Sequence, residues 1–410
     1  MENNLDILFL AGLFPKEKEK EILENSKGAI QNAANNLQWS IVEGLDANLV
    51  YKPKILNSYY VGSFPKRYKK IKIDTFEFSH SKGSNDINIG FINLSGIKHV
   101  SRYLTLKPQV KRWISQKSDR KKVVIAYAMT MPFTRILRYV KSLDENIVTC
   151  LIVPDLPQFM NTTKSNNNAL YNLLKNYEMD LLNKDLHYID SYVLLTKHMR
   201  EALKITVPSA VVEGISTKTS GDSSYSEKVQ NRKTVLYSGL LMERYGVLNL
   251  LSSFERLNNP NYELIICGTG ELEDEFIEAS KRDNRIIFKG QLPREEVLDL
   301  QKASSILINP RPNNEEYTKY SFPSKILEYM SSGTPVISYE LDGIPEEYYG
   351  YMYSVDDYED SLFDVLKETL EKSERELYTK GFLAKQFVLE EKNSYKQAKK
   401  IVEMLKSIKT

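Results

Sequence analysis

A chain of 410 residues is too long for a single hydrophobic core, so the sequence predicts two domains. Its ordinary composition is typical of a soluble globular protein, and its net charge of +2 excludes nothing by itself. No run approaches the ~18 apolar residues of a membrane span. We expect no secretory signal, because the apolar run 7–13 is short and follows Glu2 and Asp6.

The two cysteines, Cys150 and Cys267, lie far apart in apolar, strand-like runs. We therefore expect buried free thiols in a reducing compartment, which favours a cytoplasmic location. Together with four scattered histidines they supply too few ligands for a metal site.

The first domain is predicted to span residues 1–205 and to alternate strands with helices. Strands are expected at 5–11, 87–94, 123–127, 146–153 and 188–196. Helices are expected at 29–47, 106–118, 134–141, 169–185 and 198–203, with irregular backbone over 97–105. This alternation predicts a doubly wound α/β domain with a parallel sheet, whose ligands bind beyond the carboxyl ends of the strands. Gly12 and Asp155 follow two such strands.

Residues 51–122 are strongly basic, with seventeen Lys or Arg against four Asp or Glu. Solvated loops and helix faces account for part of this excess. The remainder could face an anionic membrane or a lipid-diphosphate acceptor. Nucleic acid is not expected as a partner, because the sequence has no recognition motif for it.

Residues 206–232 are predicted to be a linker, since 217–230 are polar and rich in serine. A second α/β domain is predicted over 233–385, with strands at 234–239, 262–267, 286–289, 305–309 and 334–338. A final amphipathic helix is expected at 394–407, within a C-terminal segment, 386–410.

The most informative stretch is 304–338, which reads as strand, irregular loop, short helix and strand. Pro323 suits the first turn of the helix, and Gly333 suits its end. A helix N-terminus presents free N–H groups to a phosphate, and Lys325 adds a full charge there. Glu328 lies one turn further on and could accept hydrogen bonds from sugar hydroxyls. We therefore predict a site for a nucleotide diphosphate, although an amphipathic helix with solvated charges is the simpler interpretation of Glu328 alone.

The motif LEYMSSGTPVI at 327–337 resembles the nucleotide-sugar site of retaining glycosyltransferases of family 4, which have the GT-B fold of two Rossmann-like doubly wound domains. In the second domain the resemblance covers essentially the whole domain and is strong. In the first domain it rests only on the order of strands and helices. In that family a pair of glutamates stands eight positions apart, and Glu328 matches the second. The first would fall at Tyr320, which is a departure. Some surface-polysaccharide branches also have FPSK before LEYM, as here.

The resemblance implies roles for further residues. The loop after the first strand of the second domain usually carries an arginine and a lysine that hold the leaving diphosphate, but here these are Leu240 and Tyr245. Arg244 and Arg311 are the candidates to replace that charge. Glycines in donor-contacting loops match at positions Gly12, Gly239, Gly268 and Gly270.

The resemblance implies a retaining transferase that moves a sugar from a nucleotide sugar, expected to be a UDP-sugar, to a glycan or lipid-linked glycan in surface polysaccharide synthesis. Glu328 and Asp155 are the candidate catalytic residues. Asp155 could orient or deprotonate the acceptor hydroxyl, or be a turn residue between two prolines. No cofactor is expected, because cationic side chains and the helix dipole can stabilise the diphosphate without a metal.

The location implied is cytoplasmic or peripheral at the inner face of the membrane. The alternative is a non-catalytic GT-B partner of another glycosyltransferase, which Tyr320 and Leu240 would favour.

Overall fold

The computed structural model describes residues 4–28, 30–156, 179–216 and 232–409. The chain forms two compact units, Met1–Ile215 with Ser394–Thr410, and Ser216–Asn393. Across these described ranges no helix has the length and apolar character needed to cross a bilayer. Cys150 and Cys267 are buried free thiols, as expected.

The first unit is built on a mainly parallel sheet. Its strands are β1 (Leu5–Ala11), β2 (Lys54–Asn57), β3 (Lys72–Ile73), β4 (Phe76–Phe78), β5 (Asp86–Asn88), β6 (Phe91–Ile92), β7 (Lys121–Tyr127), β8 (Val148–Val153), β9 (Ser191–Leu194) and β10 (Ser209–Val211). Eight of them pair in the order β10-β9-β8-β7-β1-β2-β5-β4, and only the β4–β5 pair of this sheet is antiparallel. Strands β3 and β6 form a separate antiparallel ribbon. Every residue of β8 is buried, as expected for a strand with both faces covered.

The helices of the first unit before the linker are α1 (Glu19–Asn25), α2 (Asn32–Asn48), α3 (Lys98–Ile114), α4 (Met131–Leu143), α5 (179–186) and α6 (His198–Ala202). The irregular backbone predicted over 97–105 is wrong, because α3 begins at Lys98. Its buried residues recur at helical spacing, at Arg102, Leu106, Val110 and Trp113. Apolar residues on its exposed face hid that periodicity.

The single strand predicted at 87–94 is also wrong, because it divides into β5 and β6, which belong to different sheets. Gly90 lies between them. A Cβ atom at Gly90 would lie 2.6 Å from the carbonyl oxygen of Ile73, so only glycine permits this close crossing of the chain.

The second unit contains six parallel strands, β11 (Lys233–Ser238), β12 (Tyr262–Cys267), β13 (Ile286–Gly290), β14 (Ile306–Asn309), β15 (Val336–Tyr339) and β16 (Tyr353–Val355). Its helices are α7 (Val247–Glu255), α8 (Glu273–Arg282), α9 (Arg294–Ala303), α10 (Ser324–Ser332), α11 (Ser361–Glu371) and α12 (Glu374–Glu391). The strand order is β13-β12-β11-β14-β15-β16. The order reverses between β11 and β14, and a doubly wound sheet binds its ligands at the carboxyl ends of the strands beside such a switch point.

The chain then returns to the first unit through α13 (Ser394–Ser407). This helix packs against α2: the side-chain amide of Asn48 donates to the carbonyl of Tyr395 at 2.8 Å. A Cβ atom at Gly44 would overlap the carbonyl of Ser394, so the two helices approach closely there. Helix α12 continues to Glu391, beyond the domain boundary predicted at 385, and the two units meet in sequence at Asn393.

Candidate functional site

The switch point of the second sheet lies where β11 ends at Ser238 and β14 ends at Asn309. Helix α10 begins beside it. The Lys325 ammonium donates to the Ser238 hydroxyl at 3.4 Å. The hydroxyl of Tyr329, one turn along α10, accepts the Ser238 backbone N–H at 3.0 Å. These two contacts fix the N-terminus of α10 at the carboxyl end of β11.

The N-terminus of α10 carries positive charge. The helix starts at Ser324 and has no acidic residue in its first turn, where Lys325 lies. Pro323 precedes the first helical residue and accepts one N–H, that of Ile326, at 2.9 Å. At the other end Gly333 adopts a φ of 81°, the left-handed conformation that ends a helix. The remaining first-turn N–H groups and the helix dipole favour an anion at this position.

Glu328 is tied to three neighbouring side chains. Its Oε1 accepts from the Gln301 amide at 2.8 Å and lies 3.5 Å from the Lys325 ammonium. Its Oε2 lies 3.6 Å from the guanidinium of Arg294. Gln301 is fully buried, so the amide holds the carboxylate in one orientation. Since an ionised carboxylate offers about four lone-pair sites, Glu328 retains capacity to accept further hydrogen bonds.

The loops that follow β11 and β14 touch each other. Gly246 has a φ of 71°, and a Cβ atom there would overlap the carbonyl oxygen of Pro310. The Tyr245 ring lies between the two arginines of these loops, 5.3 Å from the Arg244 guanidinium and 5.9 Å from that of Arg311. The loop that lacks a lysine at position 245 is therefore in contact with a neighbouring loop that supplies a cation.

Arg311 is buried without full hydrogen bonding. Only 6% of the residue is exposed, and its guanidinium stacks over the Tyr317 ring at 4.3 Å. Among the described residues, neither its Nε nor its Nη2 has a hydrogen-bond partner. Burial lowers the pKa of this guanidinium, although the rings of Tyr317 and Tyr245 oppose the shift. A buried cation with unpaired N–H groups is costly unless an anion binds to it, so this side chain is suited to a phosphate.

The candidate glycines of this unit bring its loops close together. Gly268 adopts a φ of 143°, and a Cβ atom there would overlap the carbonyl oxygen of Gly239. A Cβ atom at Gly270 would overlap the carbonyl of Leu241, while one at Gly239 would lie 2.7 Å from the Tyr237 hydroxyl. These residues let the loops after β11 and β12 pack backbone to backbone beside the switch point.

Tyr320, at the position of the family's first glutamate, ends a short 3-10 helix, Glu316–Tyr320. The hydroxyl of Tyr320 lies 3.5 Å from Glu316 Oε1. A Cβ atom at Gly343 would overlap the carbonyl of Thr318, so the loop after β15 packs directly on this turn. Leu240, the other departure, is exposed.

In the first unit, Gly12 follows β1 and donates its N–H to the Gln38 side chain at 2.7 Å. A Cβ atom at Gly12 would lie 2.6 Å from the Tyr60 ring, so this glycine makes room for Tyr60. Asp155 lies just beyond the end of β8, where its residue surface is exposed but the surrounding protein atoms partly desolvate its carboxyl and so raise the pKa of that group. The N-terminal part of the helix predicted at 169–185 lies outside the described residues, as does most of the predicted linker.

Sequence reasoning missed Gln301, Tyr317 and Tyr329. Tyr329 follows Lys325 by four positions, a spacing that puts both on one helix face and could have indicated it. Gln301 is 27 residues from Glu328, and nothing local connects the two. Within the described ranges, no group of three or more His, Cys, Asp or Glu side chains is placed to hold a metal ion.

Residues 232–372 match the family model described as glycosyl transferases group 1. This range covers most of the second unit, which is therefore similar to group 1 glycosyl transferases. All the candidate residues of the second unit lie inside the matched range: Gly239, Arg244, Gly268, Gly270, Arg311, Lys325 and Glu328. A comparison with curated protein sequences gave no match.

Solved structures of low sequence identity share the fold of the whole chain. Sucrose-phosphate synthase from Thermosynechococcus elongatus is 14% identical with a TM-score of 0.63, and the match covers 98% of each chain. The lipopolysaccharide outer core galactosyltransferase WaaB is 13% identical with a TM-score of 0.58, covering 98% of this chain and 99% of that one. Anabaena HepE in complex with UDP is 13% identical with a TM-score of 0.56, covering 98% of this chain and 100% of that one. The predicted GT-B fold is confirmed.

Proposed function

We propose that this glycosyltransferase moves a sugar from a UDP-sugar, with retention of anomeric configuration, to a glycan or lipid-linked glycan of a surface polysaccharide. The observation that carries the proposal is the set of cations at the switch point of the second sheet: the α10 N-terminus, Lys325 and the incompletely paired, buried Arg311. The UDP bound to HepE and the lipopolysaccharide acceptor implied by the description of WaaB support the donor and the acceptor class.

The chemical difficulty of the reaction is the diphosphate leaving group, which gains negative charge as the bond to the sugar breaks. In our proposal, Lys325 and the N–H groups of α10 hold one phosphate and Arg311 holds the other. Arg244, on the facing loop, adds charge when the loops close on the donor. These cations replace the basic residues absent at Leu240 and Tyr245, and they act on the charge of the transition state without a metal ion.

Glu328 is assigned to the ribose in this proposal. Its carboxylate lies one turn behind the phosphate-binding end of α10 and is held by Gln301 at 2.8 Å. A ribose hydroxyl can donate to its remaining lone pairs while Lys325 turns from Glu328 towards the phosphate. The ion pair between Lys325 and Glu328, 3.5 Å apart, would then keep the unliganded site ordered.

Asp155 is assigned to the acceptor. The acceptor oxygen bonds to the anomeric carbon of the donor, the bond from that carbon to the phosphate oxygen breaks, and the acceptor hydroxyl loses its proton. Because partial burial raises the pKa of Asp155, its carboxylate is a stronger base than an ordinary aspartate. Asp155→Asn is expected to lower the transfer rate while UDP binding is unchanged.

The test is a transfer assay with a panel of radiolabelled UDP-sugars and GDP-sugars and a lipid-linked glycan extract as the acceptor. We expect label from one UDP-sugar to enter the acceptor, and NMR of the product to show the anomeric configuration of the donor. The same assay compares Arg311→Met with a matched control, Arg282→Met. Arg282 is an exposed arginine on α8 that pairs with Glu255 at 3.0 Å. An inverted product would contradict retention, and transfer from GDP-sugars alone would contradict the UDP assignment.

A further inference from the structure

Helix α3 of the first unit has apolar side chains on its exposed face as well as its buried one. Ile97, just before the helix, and Val100 and Leu104 within it are 50%, 47% and 59% exposed. Their spacing places them on one side of the helix, opposite the buried Leu106 and Trp113. The solvent-facing side of a helix is normally polar, so three large aliphatic residues on that side require an explanation.

The ribbon of β3 and β6 extends this apolar stripe. The backbone N–H of Ile92 donates to the Ser101 hydroxyl of α3 at 2.9 Å, which places Ile92 against the helix. The N–H of Asn93 donates to the carbonyl of Ile71 at 2.7 Å, so Ile71 is the next neighbour. Both isoleucines are 46% exposed. We define the apolar patch as Ile71, Ile92, Ile97, Val100 and Leu104.

Cations surround this patch, and the segments that build it carry no carboxylate. Neither 66–73 nor 87–118 contains an Asp or Glu. Two carboxylates from outside these segments pair with lysines of the ribbon side, Glu21 with Lys70 and Asp74 with Lys72. The flanking basic residues are Lys69, Lys70 and Lys72 on the ribbon side and Lys107, Lys111 and Arg112 on α3.

Some basic side chains of residues 51–122 donate to backbone carbonyls of the protein instead of facing solvent. Arg102 is buried and donates to the carbonyl of Tyr59 at 2.6 Å. Lys122 donates to the carbonyl of Ile114 at 2.6 Å, and Lys121 to that of Leu405 at 2.9 Å. These three internal cations therefore do not contribute to the charge beside the apolar patch.

We propose that the apolar patch and its flanking cations bind an anionic lipid bilayer. Aliphatic side chains that enter the boundary between headgroups and acyl chains, with lysines and arginines at the level of the lipid phosphates, are the chemistry of peripheral membrane association. Nucleic acid would use the cations but would leave five aliphatic residues in water. An exposed set of aliphatic residues without an aromatic anchor also fits a fluid bilayer better than a specific protein partner.

The experiment is co-sedimentation of the full chain with vesicles of phosphatidylcholine alone or of phosphatidylcholine mixed with phosphatidylglycerol. We expect binding to the mixed vesicles only, weakened by salt. Val100→Gln with Leu104→Gln, and separately Lys111→Gln with Arg112→Gln, should each lower the partition coefficient by about tenfold.

Matched controls come from the second unit. Lys281→Gln with Arg282→Gln removes an adjacent exposed cation pair near the end of α8, as the α3 pair lies near the end of its helix. Ile277→Gln with Leu383→Gln removes exposed aliphatic residues from helices. Both controls should bind vesicles like the unmodified protein, and UDP binding should be equal in all four variants.

Three results would overturn the proposal. One is the absence of binding to the mixed vesicles, and another is equal binding by the α3 variants and the controls. The third is self-association in sedimentation velocity that Val100→Gln with Leu104→Gln abolishes while vesicle binding persists, because the patch would then be an interface with a second copy. None of these results bears on donor binding, which rests on the second unit.

Discussion

Replacing Arg311 with methionine is expected to change stability and nucleotide affinity in opposite directions. The guanidinium is 6% exposed, stacks over Tyr317, and leaves Nε and Nη2 unpaired among the described residues. A buried polar group without a partner costs about 1–3 kcal/mol, and methionine fills most of the same space without that cost. Arg311→Met should therefore raise the free energy of unfolding by about 1 kcal/mol, after the loss of ~1 kcal/mol of ring stacking is subtracted.

The affinity of the same variant for UDP should fall, whereas its stability rises. Removing one partner of a buried, hydrogen-bonded charge pair costs about 2–5 kcal/mol, so UDP affinity should fall by at least ~30-fold. Arg311→Lys, which keeps the charge but loses the planar fork, should fall in between. Urea unfolding and calorimetric titration with UDP measure the two quantities on the same preparations.

The assignment of Arg311 to the diphosphate would be wrong if Arg311→Met were less stable than the unmodified protein and bound UDP equally tightly. Arg311 would then be a structural residue held by Tyr317 and Tyr245, and the diphosphate would lie elsewhere. Arg282→Met should leave UDP affinity unchanged and stability within about 0.5 kcal/mol, because surface ion pairs contribute little.

Three further predictions concern stability. Gly268→Ala should destabilise the protein by about 3 kcal/mol or more in urea unfolding, because the new Cβ atom overlaps the backbone of Gly239; a loss below ~1 kcal/mol would mean that the loop can move aside. Tyr329→Phe should cost about 1–2 kcal/mol by removing the hydrogen bond to Ser238, and unchanged stability would show that the contact is replaceable. Burial alone would lower the pKa of His80, but hydrogen bonds to Asp46 and Asp86 raise it from 6.5 to about 9. The stabilisation that protonated His80 gives the folded protein is therefore complete below about pH 6.5 and is lost as pH rises through about 9. Its upper limit is ~3 kcal/mol. His80→Gln should thus destabilise the protein more at about pH 6 than above about pH 9, and an equal effect at both would contradict the assignment.

Local signals in the sequence were sufficient to predict helix α10. The Gly at 333 and the apolar spacing of Ile326, Leu327 and Met330 place α10 correctly, because helix ends depend on the conformational preferences of individual residues. Helix α13 was also predicted with its observed bounds, Ser394–Ser407. The alternation of strands and helices was sufficient for two doubly wound sheets, since parallel strands require helical crossovers.

Features that depend on the packing of distant segments could not be predicted in this way. The start of α3 was missed because Ile97, Val100 and Leu104 face outward and obscure the helical period. The amide that orients Glu328 comes from Gln301 on the preceding helix. The burial of Arg311 arises from the meeting of two loops at Gly246 and Pro310, which no local pattern encodes.

Calorimetric titration with UDP of the unmodified protein, Lys325→Met and Glu328→Ala tests whether a nucleotide-sugar site lies at the N-terminus of α10. We expect micromolar binding that each substitution weakens by at least about tenfold, or ~1.4 kcal/mol. Glu278→Ala, at an exposed carboxylate on α8 that pairs with Lys281 three positions on, as Glu328 pairs with Lys325, should bind UDP normally. Equal affinity in all four proteins, or no binding by folded protein, would contradict the claim.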